Sequence, residues 1–136
     1  MKIKPFKFCG KELGDGHSAY LVGEIGFNHN GDIELAKRMI ASAAENGADA
    51  VKLQTFVAGE MVSKSLIADD PDNPGNEIPF YEFFQRYEFS RSDYKILFAY
   101  AKTLNIPLFS TPFDEASLEM LVELGTPAIK IASPDL

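Results

Sequence analysis

Short apolar runs alternate with helix-patterned segments through most of this chain. The apolar runs AYLVG, AVKLQ, IPLFS and AIKIA predict four strands, at Ala19–Gly23, Ala50–Gln54, Ile106–Ser110 and Ala128–Ala132. Helices are predicted over about 33–46, 90–104 and 115–124, because Asp32, Ser90 and Asp114 are typical N-cap residues. This order predicts an α/β fold with a parallel sheet and right-handed crossovers, either a doubly wound open sheet or part of a (β/α)8 barrel.

Two segments fall outside this alternation. Residues 1–18 contain three glycines and are predicted to form a small hairpin. The segment 57–89 is a long connection whose middle, ADDPDNPGNEIP, is predicted to be neither helix nor strand because of its three prolines. The aromatic stretch FYEFFQRYEF that follows predicts a short amphipathic helix used for packing. Because strand 2 leads into this connection, it is a candidate lid or specificity loop.

Charge and composition exclude several classes of function. A net charge of −7 argues against non-specific nucleic-acid binding but not against a small anionic substrate. No apolar run approaches the roughly 20 residues of a membrane span, and the N-terminus has no apolar signal-peptide core. Cys9 is the only cysteine, so no intrachain disulfide is possible. We therefore expect one cytoplasmic domain without nucleic-acid or membrane partners.

Polar residues gather where the predicted strands end, which is the ligand-binding edge of a parallel sheet. Lys52 and Lys130 interrupt two apolar strands in similar settings, AVKL and AIKI, and Glu24 follows strand 1. In a barrel, strands 2 and 4 contribute side chains to the same interior layer, so the two ammonium groups are expected at one level. An anion between them would relieve their repulsion, and the hydroxyls of Thr111 and Ser133 would add donors.

Structural explanations for the same residues remain open at this stage. A strand lysine often snorkels at a sheet edge or forms an ion pair, and Glu24 is a possible partner for either lysine. His29 fits a hydrogen-bonded turn residue equally well. The sequence has no Walker loop, G-x-G-x-x-G, C-x-x-C or H-E-x-x-H motif, and its only histidines are His17 and His29. The chain therefore offers no transition-metal cluster of its own.

Four ordered blocks resemble the N-acetylneuraminate (sialic acid) synthase family, which includes the legionaminate and pseudaminate synthases. They are EIGFNHNG at 24–31, GADAVKLQTF at 47–56, STPFD at 110–114 and KIAS at 130–133, and the resemblance runs from about Tyr20 to Leu136. The resemblance implies that residues 1–136 form the N-terminal half of a TIM barrel. It also implies condensation of phosphoenolpyruvate with an N-acylated amino sugar such as N-acetylmannosamine, giving a nonulosonic acid and phosphate.

The resemblance also assigns roles to residues. Lys52, Thr111, Lys130 and Ser133 are similar to the phosphoenolpyruvate ligands of the family, and Glu24 and Asp135 to its catalytic carboxylates. A divalent metal, manganese or magnesium, is implied, with histidine ligands on later strands than those present here. Because four strands cannot close a barrel, we expect this chain alone to be inactive and to form a homodimer. The competing hypothesis is a non-catalytic anion-binding α/β domain.

Overall fold

The structure, a computed structural model, describes residues 4–136, except for the side chain of Pro134. Its elements in chain order are β1 (Phe6–Phe8), β2 (Lys11–Leu13), β3 (Val22–Gly26), α1 (Ile33–Glu45), β4 (Ala50–Thr55), α2 (Ala58–Met61), β5 (Ile67–Asp69), β6 (Glu77–Pro79), α3 (Phe80–Gln85), α4 (Arg91–Thr103), β7 (Leu108–Pro112), α5 (Glu115–Glu123) and a 3-10 turn (Ser133–Asp135). The three helices predicted from N-cap residues are α1, α4 and α5, and all three are confirmed.

A parallel sheet with the strand order β3-β4-β7 forms the centre of the fold. Helices cover its outer face. Val51 and Leu53 of β4 are fully buried there, in one cluster with Ile40 of α1, Leu97 of α4 and Leu121 of α5. Alternate residues of β4 therefore point to the opposite, inner face. Strand–helix alternation around a parallel sheet agrees with the predicted α/β fold.

Side-chain N-caps mark the starts of α1, α4 and α5. The Asp32 carboxylate accepts the backbone N–H groups of Glu34 and Leu35, and a reciprocal capping box joins Ser90 to Asp93. Asp114 accepts the Ser117 N–H at 2.7 Å.

None of the helices in residues 4–136 combines the length and the apolar character needed to span a bilayer.

β3 and β7 each begin two or three residues later than predicted. Before β7, the Ile106 N–H bonds to the carbonyl of Ala101 at the end of α4, and Pro107 has no N–H to give. The ladder therefore starts at Leu108. Before β3, the Leu21 N–H donates to the Asp49 carboxylate at 2.8 Å instead of to a neighbouring strand. The residues before both strands are apolar, so the sequence pattern predicts strand where the backbone is not yet paired.

The predicted fourth strand, Ala128–Ala132, is not a full strand. Within the described residues, its pairing with β7 consists of one β-bridge, between Ile129 and Ser110, and one backbone hydrogen bond, from the Lys130 N–H to the Ser110 carbonyl at 3.1 Å. The segment lies at the sheet edge with β7 as its one neighbour in residues 4–136, and Ile131 is 52% exposed. With a hydrogen-bonded neighbour on one side only, the segment forms a single bridge and not a continuous strand.

The predicted N-terminal hairpin is confirmed from residue 4 onward, while residues 1–3 lie outside the described part of the chain. β1 and β2 pair antiparallel, and Phe8 packs on Phe109 of the inner sheet face with ring centroids 6.1 Å apart. Lys11 Nζ lies 2.6 Å from the Asp49 carboxylate before β4. The hairpin thus packs against β7 and is tied to the residue that precedes β4.

The segment 57–89 is more regular than its composition indicates. The stretch predicted to be irregular contains the antiparallel hairpin β5–β6, with Ile67 opposite Pro79 and Asp69 opposite Glu77. Pro71 and Pro74 lie in the turn between the strands, where no ladder hydrogen bond is required of them. The predicted aromatic helix is confirmed as α3.

A second hydrophobic cluster lies at the carboxyl ends of the three parallel strands. Each strand is followed directly by a phenylalanine, Phe27 after β3, Phe56 after β4 and Phe113 after β7. These three rings join residues of α3 to form what we call the aromatic cluster: Phe27, Phe56, Phe80, Phe83, Phe84, Tyr87 and Phe113. The segment 57–89 is therefore anchored to the sheet by packed rings.

Candidate functional site

The inner face of β4 carries its two partly buried polar residues, Lys52 and Gln54. Val51, Leu53 and Thr55 are fully buried on the helix side. Lys52 and Gln54 alternate with them and are only partly buried. Lys52, the third of the six residues of β4, thus emerges on the inner face of the sheet.

Three of the predicted site residues meet at the Lys52 ammonium. Lys52 Nζ lies 2.8 Å from Glu24 Oε2 and donates to Thr111 Oγ1 at 3.2 Å. The Lys52 side chain is 12% exposed, whereas that of Glu24 is 49% exposed. One residue from each parallel strand thus converges on a charged group with restricted access to water. Of the two lysines considered as partners of Glu24, Lys52 is the one that forms the ion pair.

A β-bulge determines where the Glu24 carboxylate points. Glu24 pairs with Lys52 but Gly26 pairs with the next residue, Leu53, so Ile25 is an extra residue in β3 and turns into the core with 3% exposure. Gly26 has φ +57°, and a Cβ there would lie 3.3 Å from Glu24 Oε1. Glycine at this position therefore permits the turn and leaves room for the carboxylate.

Lys130 lies on the same face of the sheet as Lys52, in the segment two strands away. Leu53 is the partner of Ser110, and Ser110 bridges to Ile129. Lys130 is therefore two positions further toward the carboxyl edge than Lys52. These positions are counted along the hydrogen-bond ladder, and the strands of a (β/α)8 barrel are staggered along it by about one residue per strand. The shared level of the two lysines therefore stays a prediction.

The remaining predicted residues stand apart from the Lys52 group. Lys130 is exposed and its Nζ donates to the carbonyl of Ile131 at 2.6 Å. Ser133 and Asp135 lie in the exposed 3-10 turn. Across residues 4–136, no hydrogen bond or ion pair joins these residues to Glu24, Lys52 or Thr111. Their roles as phosphoenolpyruvate ligands and as a catalytic carboxylate stay predictions.

Sequence reasoning did not select Gln54 and Asn28 as site residues, although both border the Lys52 group. A Cβ at Gly26 would meet the Gln54 amide carbon and the Asn28 amide nitrogen, each at 3.9 Å. Gln54 shares a face with Lys52, so the two-residue period of the strand was the available signal. Asn28 follows the bulge, whose position no sequence pattern revealed.

Two polar residues at the strand ends point away from the site. Thr55 Oγ1 and Ser110 Oγ are 2.6 Å apart and both are fully buried on the helix side of the sheet. The hydroxyls satisfy each other, as buried polar groups must. Part of the polar bias at the carboxyl ends is therefore structural.

His29 behaves as a buried turn residue. Its ring stacks on Phe89 at a centroid distance of 4.0 Å, and its Nδ1 accepts the Gly31 N–H at 3.1 Å. Burial lowers the pKa of His29 from 6.5 to about 4, because the charged imidazolium would lose its hydration. The neutral ring thus fixes the loop that follows Glu24.

The described residues do not supply a metal-ligand set. Between residues 4 and 136, no three His, Cys, Asp or Glu side chains are grouped so that they could hold a metal ion. The polar groups that do meet, the Lys52 ammonium and the Thr111 hydroxyl, suit an organic anion.

Comparison with known proteins places this arrangement in a family. Residues 39–136 match the NeuB family. The chain is 38% identical over 128 residues to the N,N'-diacetyllegionaminic acid synthase of Legionella pneumophila, covering 93% of this chain and 36% of that protein. It is 35% identical over 127 residues to the N-acetylneuraminate-9-phosphate synthase of Mus musculus, covering 93% of this chain and 35% of that protein.

A solved structure agrees with these sequence matches. The N-acetylneuraminic acid (sialic acid) synthetase of Leptospira borgpetersenii, in complex with citrate, superposes with a TM-score of 0.81 at 30% identity, over 97% of this chain and 42% of that one. The chain thus spans just over a third of the length of the curated relatives named above. The family match and the shared fold together show that this chain belongs to the NeuB family.

Proposed function

We propose that the protein carrying this chain is a nonulosonate synthase. It would condense phosphoenolpyruvate with an N-acylated hexose, such as N-acetylmannosamine, to give a nonulosonic acid and phosphate. The named relatives make acids of this class, which supports the reaction type. The observation that carries the proposal is the Lys52 ammonium, held between Glu24 and Thr111 at the ligand-binding edge of the sheet.

Phosphoenolpyruvate is the substrate that the Lys52 group would bind. Its phosphate and carboxylate oxygens are charged acceptors, and a lysine ammonium makes short, strong hydrogen bonds to such groups. Binding would turn Lys52 from the Glu24 carboxylate toward the substrate, with the Thr111 hydroxyl as a second donor. We propose that Lys130 and Ser133, at the next position around the sheet, add donors to the same anion.

Glu24 is proposed to act on the reacting carbons. In the condensation, C3 of phosphoenolpyruvate bonds to the aldehyde carbon of the sugar, and the aldehyde oxygen takes a proton. Water adds at C2, and phosphate then leaves with its bridging oxygen. A carboxylate beside C2 stabilises developing positive charge and orients the water, and substrate positioning lowers the barrier further. Asp135 is proposed as the second acidic residue on family position alone.

We also propose a bound metal ion, a cytoplasmic location and self-association. The resemblance implies a divalent manganese or magnesium ion, for which the described residues do not provide a ligand set. We therefore propose that its ligands lie outside residues 4–136. A cytoplasmic location is proposed on the sequence composition. A homodimer is proposed for the 136-residue polypeptide alone, because its sheet edges are open.

Turnover of the natural full-length protein tests the proposed function. Phosphate release would be followed with phosphoenolpyruvate and, in parallel, N-acetylmannosamine or a di-N-acetylated hexose, with divalent metal added. Phosphate release that depends on one of these sugars, with a nonulosonic acid as coproduct, is the expected result. Tight phosphoenolpyruvate binding without release in the presence of any acceptor would instead favour the non-catalytic anion-binding domain.

A further inference from the structure

The loop after β3, residues 27–32, lies between the Lys52 group and the aromatic cluster. On the site side, the Gly26 backbone is next to the Glu24 carboxylate and the Asn28 amide. On the other side, Phe27 packs edge-on or tilted against Phe83, Phe84 and Tyr87, with centroid distances of 5.3 to 6.4 Å. The loop that follows the strand of Glu24 therefore rests on α3.

Gly31 brings the backbone of this loop against the end of α3. It has φ +71°, and a Cβ at Gly31 would collide with the carbonyl oxygen of Arg86, the C-cap residue of α3. Such a collision with backbone cannot be relieved by a side-chain rotation. The Gly31 N–H is meanwhile bound to His29, so the loop has little freedom to retreat.

Arg86 is itself fixed by the β5–β6 hairpin. Its guanidinium donates to both carboxylate oxygens of Asp70, at 3.0 and 2.9 Å, and to Asp72 at 3.0 Å. Asp70 is 4% exposed, whereas the Arg86 side chain is 42% exposed, so the carboxylate end of this bidentate pair is shielded from water. The Tyr87 hydroxyl also donates to Asp72, at 2.7 Å. The hairpin thus clamps the end of α3 against which Gly31 rests.

We propose that Gly31 and Arg86 are positioning residues that hold the Glu24 carboxylate in its reactive place. The hairpin fixes Arg86, the Arg86 backbone supports Gly31, and the loop so supported ends the bulged strand that carries Glu24. The segment 57–89 is on this view a fixed buttress of the site and not a mobile lid. The inference rests on the proposed function for its kinetic consequence.

Gly31→Ala in the natural full-length protein tests the contact, and Gly125→Ala is a matched control. Gly125 has φ +74°, close to that of Gly31, but a Cβ there would meet nothing within 4 Å. Gly31→Ala is expected to lower kcat at least about tenfold, since a misplacement of about 1 Å can cost about a hundredfold. The phosphoenolpyruvate Kd should change less than about threefold, because Lys52 and Thr111 lie on other strands. Equal kcat values for the two variants would overturn the proposal.

A second pair of variants keeps the test decisive if Gly31→Ala does not fold. Asp70→Asn weakens the bidentate pair with Arg86, whereas Asp69→Asn makes the same charge change at an exposed neighbouring position. Asp70→Asn is expected to reduce kcat relative to Asp69→Asn, with the phosphoenolpyruvate Kd unchanged. Identical kinetics for these two variants would also overturn the proposal.

Amide hydrogen exchange separates this proposal from the proposed function. If the wild-type protein shows no synthase turnover, the proposed function fails, but the support of the loop is still measurable. Faster exchange over residues 27–32 in Asp70→Asn than in Asp69→Asn is the expected result. The same exchange rates in both variants would show that the hairpin does not support the loop.

Discussion

At the scale of single residues, Lys52 is a charged side chain of the central strand with a partner on each neighbouring strand. A lysine among fully buried strand residues predicts a special role, because an unpaired charge in such a place costs several kcal/mol. Its partners come from β3 and β7, and a β-bulge decides that one of them is Glu24. A one-residue shift in a strand reverses the direction of its side chains, and nothing in the letters EIGFNHNG indicates the shift.

Glu24→Gln tests whether this carboxylate acts in the chemistry. The amide keeps the shape and still accepts a hydrogen bond from Lys52, but it cannot stabilise positive charge or take a proton. We expect kcat to fall by about 10²- to 10⁴-fold, with little change in the phosphoenolpyruvate Kd. Glu45→Gln, at an exposed position of α1, is the control. Near wild-type kcat with weakened binding would give Glu24 a binding role instead.

His29 predicts a pH dependence of stability. The folded protein keeps the ring neutral down to about pH 4, whereas the unfolded chain takes up a proton near pH 6.5. The unfolded state therefore binds more protons between these values, and stability falls as the pH is lowered through this window. The contribution is about 3 kcal/mol.

Variants of the two histidines isolate this contribution. In His29→Gln, the melting temperature should depend less on pH between 6.5 and 4 than in the wild-type protein. His17→Gln changes an exposed histidine and should keep the wild-type dependence. If His29→Gln and the wild-type protein lose the same stability over this range, the buried ring is not the titrating group.

At the scale of elements, the helices were predictable and the strand ends were not. Side-chain caps are local, so Asp32, Ser90 and Asp114 mark helix starts directly in the sequence. The strand limits depend on distant partners, such as the Asp49 carboxylate that takes the Leu21 N–H. The β5–β6 hairpin depends on its contacts with Arg86, which composition cannot indicate.

Asp114 caps α5 and also joins two elements. Besides the Ser117 N–H, it accepts the Val57 N–H at 2.7 Å, where the chain leaves β4. Asp32 caps α1 and accepts from that helix alone among the described residues. Loss of one cap costs about 1 kcal/mol, and loss of a further hydrogen bond to a charged group about 1.5–3 kcal/mol.

We therefore expect Asp114→Ala to lower the unfolding free energy more than Asp32→Ala. Urea unfolding of both variants and of the wild-type protein measures the difference. Equal losses would mean that the bond to Val57 adds no stability, and that Asp114 is only a helix cap.

At the scale of the whole molecule, apolar surface and strand edges are left open in the 136-residue polypeptide. Val122 and Ile131 are 63% and 52% exposed. Within residues 4–136, β3 pairs with β4 alone, so its other edge has unpaired backbone groups. Open strand edges and exposed apolar side chains favour association with another chain. The parallel sheet and its helices were predictable from the sequence. The extent of the open surface was not, because it depends on which strands pair and on which side chains the packed helices cover.

We predict that the polypeptide of residues 1–136 self-associates in solution. Light scattering after size exclusion should give a mass of at least twice 15.0 kDa. The double variant Val122→Lys and Ile131→Lys should shift the equilibrium toward monomer if the apolar surface contributes. A sharp monomer peak with cooperative thermal unfolding of the wild-type polypeptide would contradict the prediction.

The central claim is that Lys52 binds the anionic substrate, and calorimetric titration with phosphoenolpyruvate tests it most directly. The natural full-length protein would be compared with Lys52→Ala and with Lys95→Ala, which removes an exposed lysine of α4. We predict that Lys52→Ala loses about 1.5–3 kcal/mol of binding free energy, as expected for hydrogen bonds to charged groups, while Lys95→Ala binds as the wild-type protein does. A Lys52→Ala variant with the phosphoenolpyruvate affinity of Lys95→Ala would contradict the account.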